Sequence, residues 1–368
     1  MVIAMSMLTS ASNVWVGKHK INYIVIAASN SAKEDKALAD FVCTGKNDEK
    51  VINRAIELLP RGGTIQLLDG KYFIDAFDEE NHTAIYFGFN DGQARVINLV
   101  GDTENKGYNT AFGVTLHVTK KAFETLPEGA ECRVFGGTFQ KPQAEGDFYT
   151  FTHVNNVNFE NFLLFFPDAQ HPAIGVDARN FGSSFVKLVG IYTGQYHRDR
   201  FLHLKPATPV PGLIGFYSCP SSNDEMARIG YEYADVGGLH TGFYLDGVDH
   251  VVMSVCMAAR CCYGYIFRDI RKTLTVLNCC DEGNTHLPAF RKRGYVTLID
   301  FNIERFNEAF IPDDPEGNEV HGATVEENAP IFGSVTYTLQ GKAWGTLPGF
   351  WEPGHGKNFE TRRLDIAR

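Results

Sequence analysis

Residues 45–74 read GKNDEKVINRAIELLPRGGTIQLLDGKYFI, and three local signals follow one another along them. Asn47 and Asp48 offer a helix N-cap, and Val51, Ile52, Ala55, Ile56 and Leu59 recur at helical spacing, which predicts a short amphipathic helix. Pro60 and the pair Gly62-Gly63 end it. Thr64 to Leu68 then has strand composition, Asp69-Gly70 makes a turn, and Lys71 to Ile74 gives a second strand.

Working outward from this unit, the rest of the chain repeats. Val251-Val252-Met253-Ser254-Val255-Cys256 aligns with Leu274-Thr275-Val276-Leu277-Asn278-Cys279 and then with Val296 to Phe301, at steps of 23 and 22 residues. A second strand has the same period, since Gly242 to Asp246 matches Gly264 to Arg268, and Ile229 to Tyr233 precedes Val251 by one step. Earlier repeats are longer, with Val157 to Phe162 set against Phe185 to Gly190. Such a repeat buries its apolar face only by stacking on its neighbours, so a column of roughly a dozen coils is expected. Cys256 and Cys279 then share an inward column. Residues 194–228 hold several prolines and are expected to leave the coil as a loop; residues 312–331 read as a linker, and Phe332 to Leu339 as a half-exposed strand covering the last coil.

The 45–74 passage resembles the entry segment of the pectate-lyase-like right-handed parallel β-helix superfamily, in which a short helix caps the first coil. The resemblance implies an all-β solenoid with an N-terminal capping helix and a strand-rich C-terminal cap. The chain divides accordingly into an N-terminal extension (1–20), the β-helix with its cap (21–311) and a C-terminal tail (312–368). Members of that superfamily include glycoside hydrolases, fructotransferases, polysaccharide lyases and tailspike-like proteins. Of the NTD, DD, GHG and RIK blocks of polygalacturonases, NTD and RIK are absent, and Asp313-Asp314 and Gly354-His355-Gly356 lie too far apart in the tail and read as coincidence. The calcium carboxylates of extracellular pectate lyases are not found either.

Composition narrows the function classes. With 368 residues, 44% of them hydrophobic, the chain is long and apolar enough for a large core. A formal charge of −10 argues against a nucleic-acid partner. No run of apolar residues is long enough to span a membrane as a helix, and no basic residue precedes Lys18, so no secretion signal is read and a cytoplasmic or phage-particle location is expected. The eight cysteines lack CxxC spacing and read as buried thiols, so no metal and no cofactor are expected.

Stacking brings residues one period apart to neighbouring rungs, about 4.8 Å from each other. The turn after the Val251-type strand thereby collects Asp235, Arg260, Asp281, Glu282 and Glu304. Paired carboxylates are what glycosidic cleavage requires, one to protonate the leaving oxygen and one to act as nucleophile or base. Glu282 is the expected acid/base, with Asp281 or Glu304 as partner and Asp235 nearby. A second cluster, Tyr196, His197, Arg200 and His203, has the residue types of a sugar-binding rim. His240 and Arg268 are further substrate-binding candidates, although Asp246 and Arg268, one period apart, also read as a cross-rung ion pair. The expected function is cleavage or transfer of a glycosidic bond in an oligo- or polysaccharide. A lyase or C5-epimerase acting on uronates, and a non-enzymatic glycan-binding module, remain open alternatives, and the superfamily resemblance allows a homotrimer.

Overall fold

A computed structural model describes residues 22–88, 95–102, 113–124, 126, 129–137, 156–179, 181–194, 196, 209–219, 229–268, 270, 273–284, 289–291, 296–305, 331–339 and 342–345. Strands dominate; the α-helices among the described residues are Lys33–Leu38 and Asp48–Glu57. The strands form a 17-stranded and a 7-stranded sheet, parallel throughout except where Ile331–Leu339 meets Lys342–Gly345.

The large sheet consists of two adjoining ladders. The first runs through Tyr23–Ala27, Gly63–Leu67, Val96–Gly101, Ile229–Glu232, Val251–Ser254 and Leu274–Leu277. The second runs through Gly70–Ile74, Val114–Val118, Asp235–Gly237, Met257–Ala259 and Cys280–Glu282. Three long strands, Asn156–Phe166, Ser184–Thr193 and Val296–Arg305, belong to both. The smaller sheet stacks Thr83–Tyr86, Arg133–Gly136, Ala173–Asp177, Leu213–Ser218, Thr241–Asp246, Tyr263–Arg268 and Ala289–Arg291.

The entry unit forms with one change of detail. Ile52, Ala55, Ile56 and Leu59 are buried on one helix face, as their spacing predicts. Asn47 stands at the N-cap with φ 50°, but its side chain makes no capping bond. Asp48, the first helical residue, instead fastens the helix to its surroundings. Its carboxylate accepts the Gly45 N–H at 3.0 Å and the Phe73 N–H at 2.9 Å, which ties the helix to the strand Gly70–Ile74. The helix ends at Glu57 with Leu58 as its C-cap, ahead of the predicted Pro60 and Gly62. Gly62 turns the chain into the next strand at φ 82°, where an added Cβ would collide with the Val96 carbonyl.

The predicted repeat is present as register. Val251, Leu274 and Val296 are successive partners, as are Met253, Val276 and Leu298, and Asp246 faces Arg268. Two expectations need correction. Phe185 pairs with Asn158 rather than Val157, and a one-residue slip exchanges the two faces of a strand. Val157 and Phe159 therefore point inward with Val186, while Phe185 is 38% exposed and lies over Gly230. Residues 194–228 are also not all loop, because Leu213–Ser218 pairs with Ala173–Asp177 on one side and Thr241–Asp246 on the other. The tail strand Ile331–Leu339 pairs in parallel with Val296–Arg305, adding a rung at the C-terminal end.

The two ladders meet at a corner residue in the left-handed region. Asn161, Leu188, Tyr233, Val255, Asn278 and Asp300 hold this place in successive tiers, with φ between 50° and 60°. The ladder continues through the bend: Tyr233 N–H reaches Ser254 O at 3.0 Å, Val255 N–H reaches Leu277 O at 2.9 Å, and Asn278 N–H reaches Ile299 O at 2.8 Å. Asn tolerates this conformation better than the bulky residues sharing the column.

One continuous core runs between the sheets. Phe216, Phe243 and Tyr265 stack along it, with ring centroids 5.1 and 5.2 Å apart. All three are fully buried, each contributing roughly 2–3 kcal/mol of apolar burial. Cys256 and Cys279 occupy the expected inward column, the Cys256 N–H lying 3.3 Å from the Cys279 sulfur.

Candidate functional site

In the second ladder every other residue faces away from the core, and pairing fixes which residues line up. One outward column reads Phe73, His117, Phe165, Tyr192, Gly237, Ala259 and Glu282, with Glu304 next in register. Its neighbour, two residues upstream, reads Lys71, Thr115, Leu163, Gly190, Asp235, Met257, Cys280 and Asn302. Aromatic rings occupy the N-terminal tiers and carboxylates the C-terminal ones. Phe73, His117 and Phe165 are half-buried, with centroids 5.5 Å apart in the first pair and 5.2 Å in the second. Tyr192 comes next and is fully buried, stacked on Tyr196 at 5.3 Å.

Asp235 stands one tier beyond Tyr192. Its carboxyl is pushed up to about 7 by burial and by the charge of Glu282, partly offset by the nearby Met257 N–H and Tyr192 hydroxyl. Glycine makes room for this arrangement. A Cβ at Gly237 would lie 2.7 Å from the Tyr192 ring and 2.9 Å from the Tyr196 ring, so only a bare backbone lets the stacked tyrosines settle beside Asp235. His117, two tiers before Tyr192 in its column, is held down to about 4 by burial and by Lys71, so it is uncharged at neutral pH.

The predicted acidic cluster is partly assembled. Glu282 and Glu304 are direct register partners, and Asp235 shares the sheet face of Glu282. Arg260 sits at the next corner, with φ 52°, its N–H donating to the Glu282 carbonyl at 2.9 Å. Asp281 does not belong to the cluster. It alternates inward, fully buried in line with Val236 and Ala258, and packs across from Gly264 beside Asn284. Asn284 is itself anchored by the Cys261 N–H at 2.6 Å and the Ala258 carbonyl at 2.9 Å. Period-2 alternation turns Asp281 away from Glu282, its neighbour in sequence.

Tyr196 is also reassigned. It is 3% exposed, with its N–H on the Thr193 hydroxyl at 3.2 Å, so its ring is spent on packing against Tyr192 and is not free to stack on a sugar. His197, Arg200 and His203 lie outside the described residues. His240 opens a strand of the small sheet, its ring packing on Tyr263 at 5.9 Å and its Nδ1 lying 3.2 Å from the Thr241 hydroxyl. Arg268 stands on the outer face of that sheet and reaches Asp246 at 3.6 Å and the Tyr244 hydroxyl at 3.3 Å, the cross-rung pair its spacing suggests. Neither His240 nor Arg268 is on the sheet face that carries Asp235 and Glu282.

The row Phe73, His117 and Phe165 has no constant repeat length to reveal it in sequence, with steps of 44 and 48 residues, and the further step to Tyr192 depends on the Phe185–Asn158 register. A separate cavity of about 600 Å³ lies between the helix Asp48–Glu57 and the strand Thr83–Tyr86. Asn53 closes that strand's free edge by bonding the Ala84 carbonyl at 2.7 Å and the Tyr86 N–H at 2.9 Å. Its lining comes from the entry unit and the residues that follow it, and includes none of the outward-column carboxylates.

No family model matches this chain, and no curated protein does. A solved structure, that of Escherichia coli YbhC, is similar at a TM-score of 0.46 and 11% identity over 89% of this chain and 86% of that one. Among the described residues no helix is long and apolar enough to cross a membrane.

Proposed function

We propose that this chain is a right-handed parallel β-helix of the pectate-lyase-like kind, and a carbohydrate-active enzyme that cleaves or transfers a glycosidic bond through Asp235 and Glu282. The observation that carries the functional reading is the pair itself: a partly buried carboxyl with a raised proton affinity, on the same sheet face as a second carboxylate. The stacked parallel pairings at 22- and 23-residue steps support the fold reading.

In this reading Asp235, in its acid form, gives its proton to the leaving glycosidic oxygen as the C–O bond breaks. Glu282 takes a proton from the water or sugar hydroxyl that attacks the anomeric carbon. Both groups then return to their starting states by exchange with solvent. Asp235 and Glu282 lie two tiers apart, roughly 9.6 Å across the strands, and two residues, roughly 6.8 Å, out of step along them. This is too wide for the retaining separation of about 5–5.5 Å and leaves inversion, with the side chains leaning toward each other. Tyr192 holds Asp235 in place, and Arg260 flanks Glu282.

Product analysis on a panel of fructans, glucans, galactans and pectins tests the reading. New reducing ends indicate hydrolysis, and a new glycosidic linkage without reducing ends indicates transfer. An ultraviolet-absorbing unsaturated product would overturn the two-carboxylate mechanism in favour of a lyase.

A further inference from the structure

We infer that Tyr196 is a positioning residue for Asp235: its ring closes a small apolar cluster on the outward face of the second ladder and so fixes Tyr192 and the carboxyl beside it. The inference rests on the proposed reaction for the role of Asp235 and adds the residue through which that site is held.

Besides the core between the sheets, a second apolar cluster stands on this outward face, made of Leu163, Tyr192, Tyr196 and Ala259, with Phe165 and Met257 packed against it. Asp235 is set into its border. Its rung partner on one side is Gly190, which follows Leu163 in the column, and on the other side Met257. Gly190 leaves its place to neighbours, since a Cβ there would lie 2.7 Å from the Tyr192 ring and 2.9 Å from the Leu163 side chain. With the contact at Gly237, the Tyr192 ring therefore lies flat across two rungs and reaches back along its strand toward the column of Asp235. Tyr196 covers that ring, the two planes being 19° apart. Its backbone is pinned as well. The Thr193 hydroxyl that accepts the Tyr196 N–H donates in turn to the Gly238 carbonyl at 3.3 Å. At Gly238, where φ is 73°, a Cβ would lie 2.7 Å from the Tyr196 Cβ, so glycine on the next strand admits both the ring and the backbone of Tyr196. A carboxyl at the edge of such a cluster loses water on that side, which favours its proton-bound form. Of the titratable groups near it, Glu282 acts in the same direction and the Tyr192 hydroxyl in the opposite one, while the Cys256 thiol is itself pushed up in part by Asp235. Removing the Tyr196 ring uncovers Tyr192 and readmits water to this edge.

The test follows the Asp235 carboxyl itself, by carbon NMR titration of the full-length protein labelled at its aspartate carboxyls, with the resonance assigned by its loss in Asp235→Asn. The wild-type midpoint is expected at about 7. Tyr196→Phe keeps the stacked ring and should leave the midpoint unchanged. Tyr196→Ala should lower it by about one pH unit or more as water returns to the carboxyl. Tyr196→Leu keeps bulk without the stacked ring and serves if the alanine variant does not fold, with a fall of about half that size. Phe216→Leu, in the main core, is the comparison for a purely structural role: it should lower Tm and leave the Asp235 midpoint in place. A midpoint within about 0.2 units of wild type in the folded alanine or leucine variant, or an equal shift in Phe216→Leu, overturns the inference. The two proposals fail separately, because the midpoint is read without substrate. A shifted midpoint together with full turnover by Asp235→Asn contradicts only the reaction, and an inactive Asp235→Asn together with a midpoint indifferent to Tyr196 contradicts only the positioning.

Discussion

Asp235 and Glu282 stand on the same outward face of the second ladder, two tiers apart and two residues out of step, Asp235 in line with Met257 and Cys280 and Glu282 in line with Ala259. This offset places Asp235 beside Tyr192 and Glu282 beside the Arg260 corner. Burial and the charge of Glu282, 47 positions further along the chain, give the Asp235 carboxyl a proton affinity different from that of a free aspartate.

That difference has a stability consequence. The folded-state value for Asp235 is raised from 3.8 to about 7, so the native chain holds more proton than the unfolded chain between those limits. Its contribution is fully present below about pH 4 and is lost as pH rises through 7, with a slope of up to about 1.4 kcal/mol per pH unit mid-window. Urea unfolding of wild type and Asp235→Asn across this range should diverge accordingly, the variant gaining relative to wild type as pH rises.

His117 behaves in the opposite sense. Its folded-state value is lowered from 6.5 to about 4, so the unfolded chain binds more proton in that interval and stability falls as pH drops from 6.5 to 4. His117→Phe removes the titrating group and keeps a ring between Phe73 and Phe165. Thermal melts at pH 7 and pH 4.5 should show a smaller loss on acidification for this variant than for wild type.

The left-handed corner column predicts a stabilising substitution. Val255 is β-branched and held at φ 54°, whereas Asn278 fills the same place one tier on. Val255→Asn should stabilise the chain by about 1 kcal/mol, a rise in Tm of roughly 2 °C. Asn278→Val should lower it by a similar amount.

Gly264 faces the buried Asp281. A Cβ there would lie 2.8 Å from the Asp281 Oδ2, in a fully buried setting that has nowhere to yield. Gly264→Ala should therefore cost about 1–3 kcal/mol, whereas Gly129→Ala, where a Cβ meets nothing within 4 Å, serves as an exposed comparison limited to the strain of its φ of 77°. Denaturant midpoints of the two variants measure the difference.

Much of the architecture was legible in the sequence because the C-terminal repeats keep an almost constant length. Val251, Leu274 and Val296 align by eye and pair in the structure. The reading slipped where repeat length varies: the step from Asn158 to Phe185 is 27 residues, and one residue of error there reversed the faces. Leu213–Ser218 was hidden among prolines on one side and polar residues on the other, although its own composition is strand-like. The site was legible as a set of acids but not as a face. Asp281 and Glu282 are adjacent in sequence, and only the alternation after the Asn278 corner shows that one is core and the other surface. Tyr196 looked like a rim residue because its burial depends on Gly237 and Gly238, some 40 positions away.

The most direct test of the central claim is the turnover number of Asp235→Asn and Glu282→Gln, each verified as folded by circular dichroism, on a glycan that the wild-type protein is found to cleave. Both substitutions keep shape and remove the carboxylate chemistry, so each should lower kcat by roughly 100-fold or more, with little change in KM. The alkaline limb of the wild-type pH profile should fall with an apparent pKa near 7 and be absent from Asp235→Asn. Turnover within a few-fold of wild type in either variant would contradict the assignment.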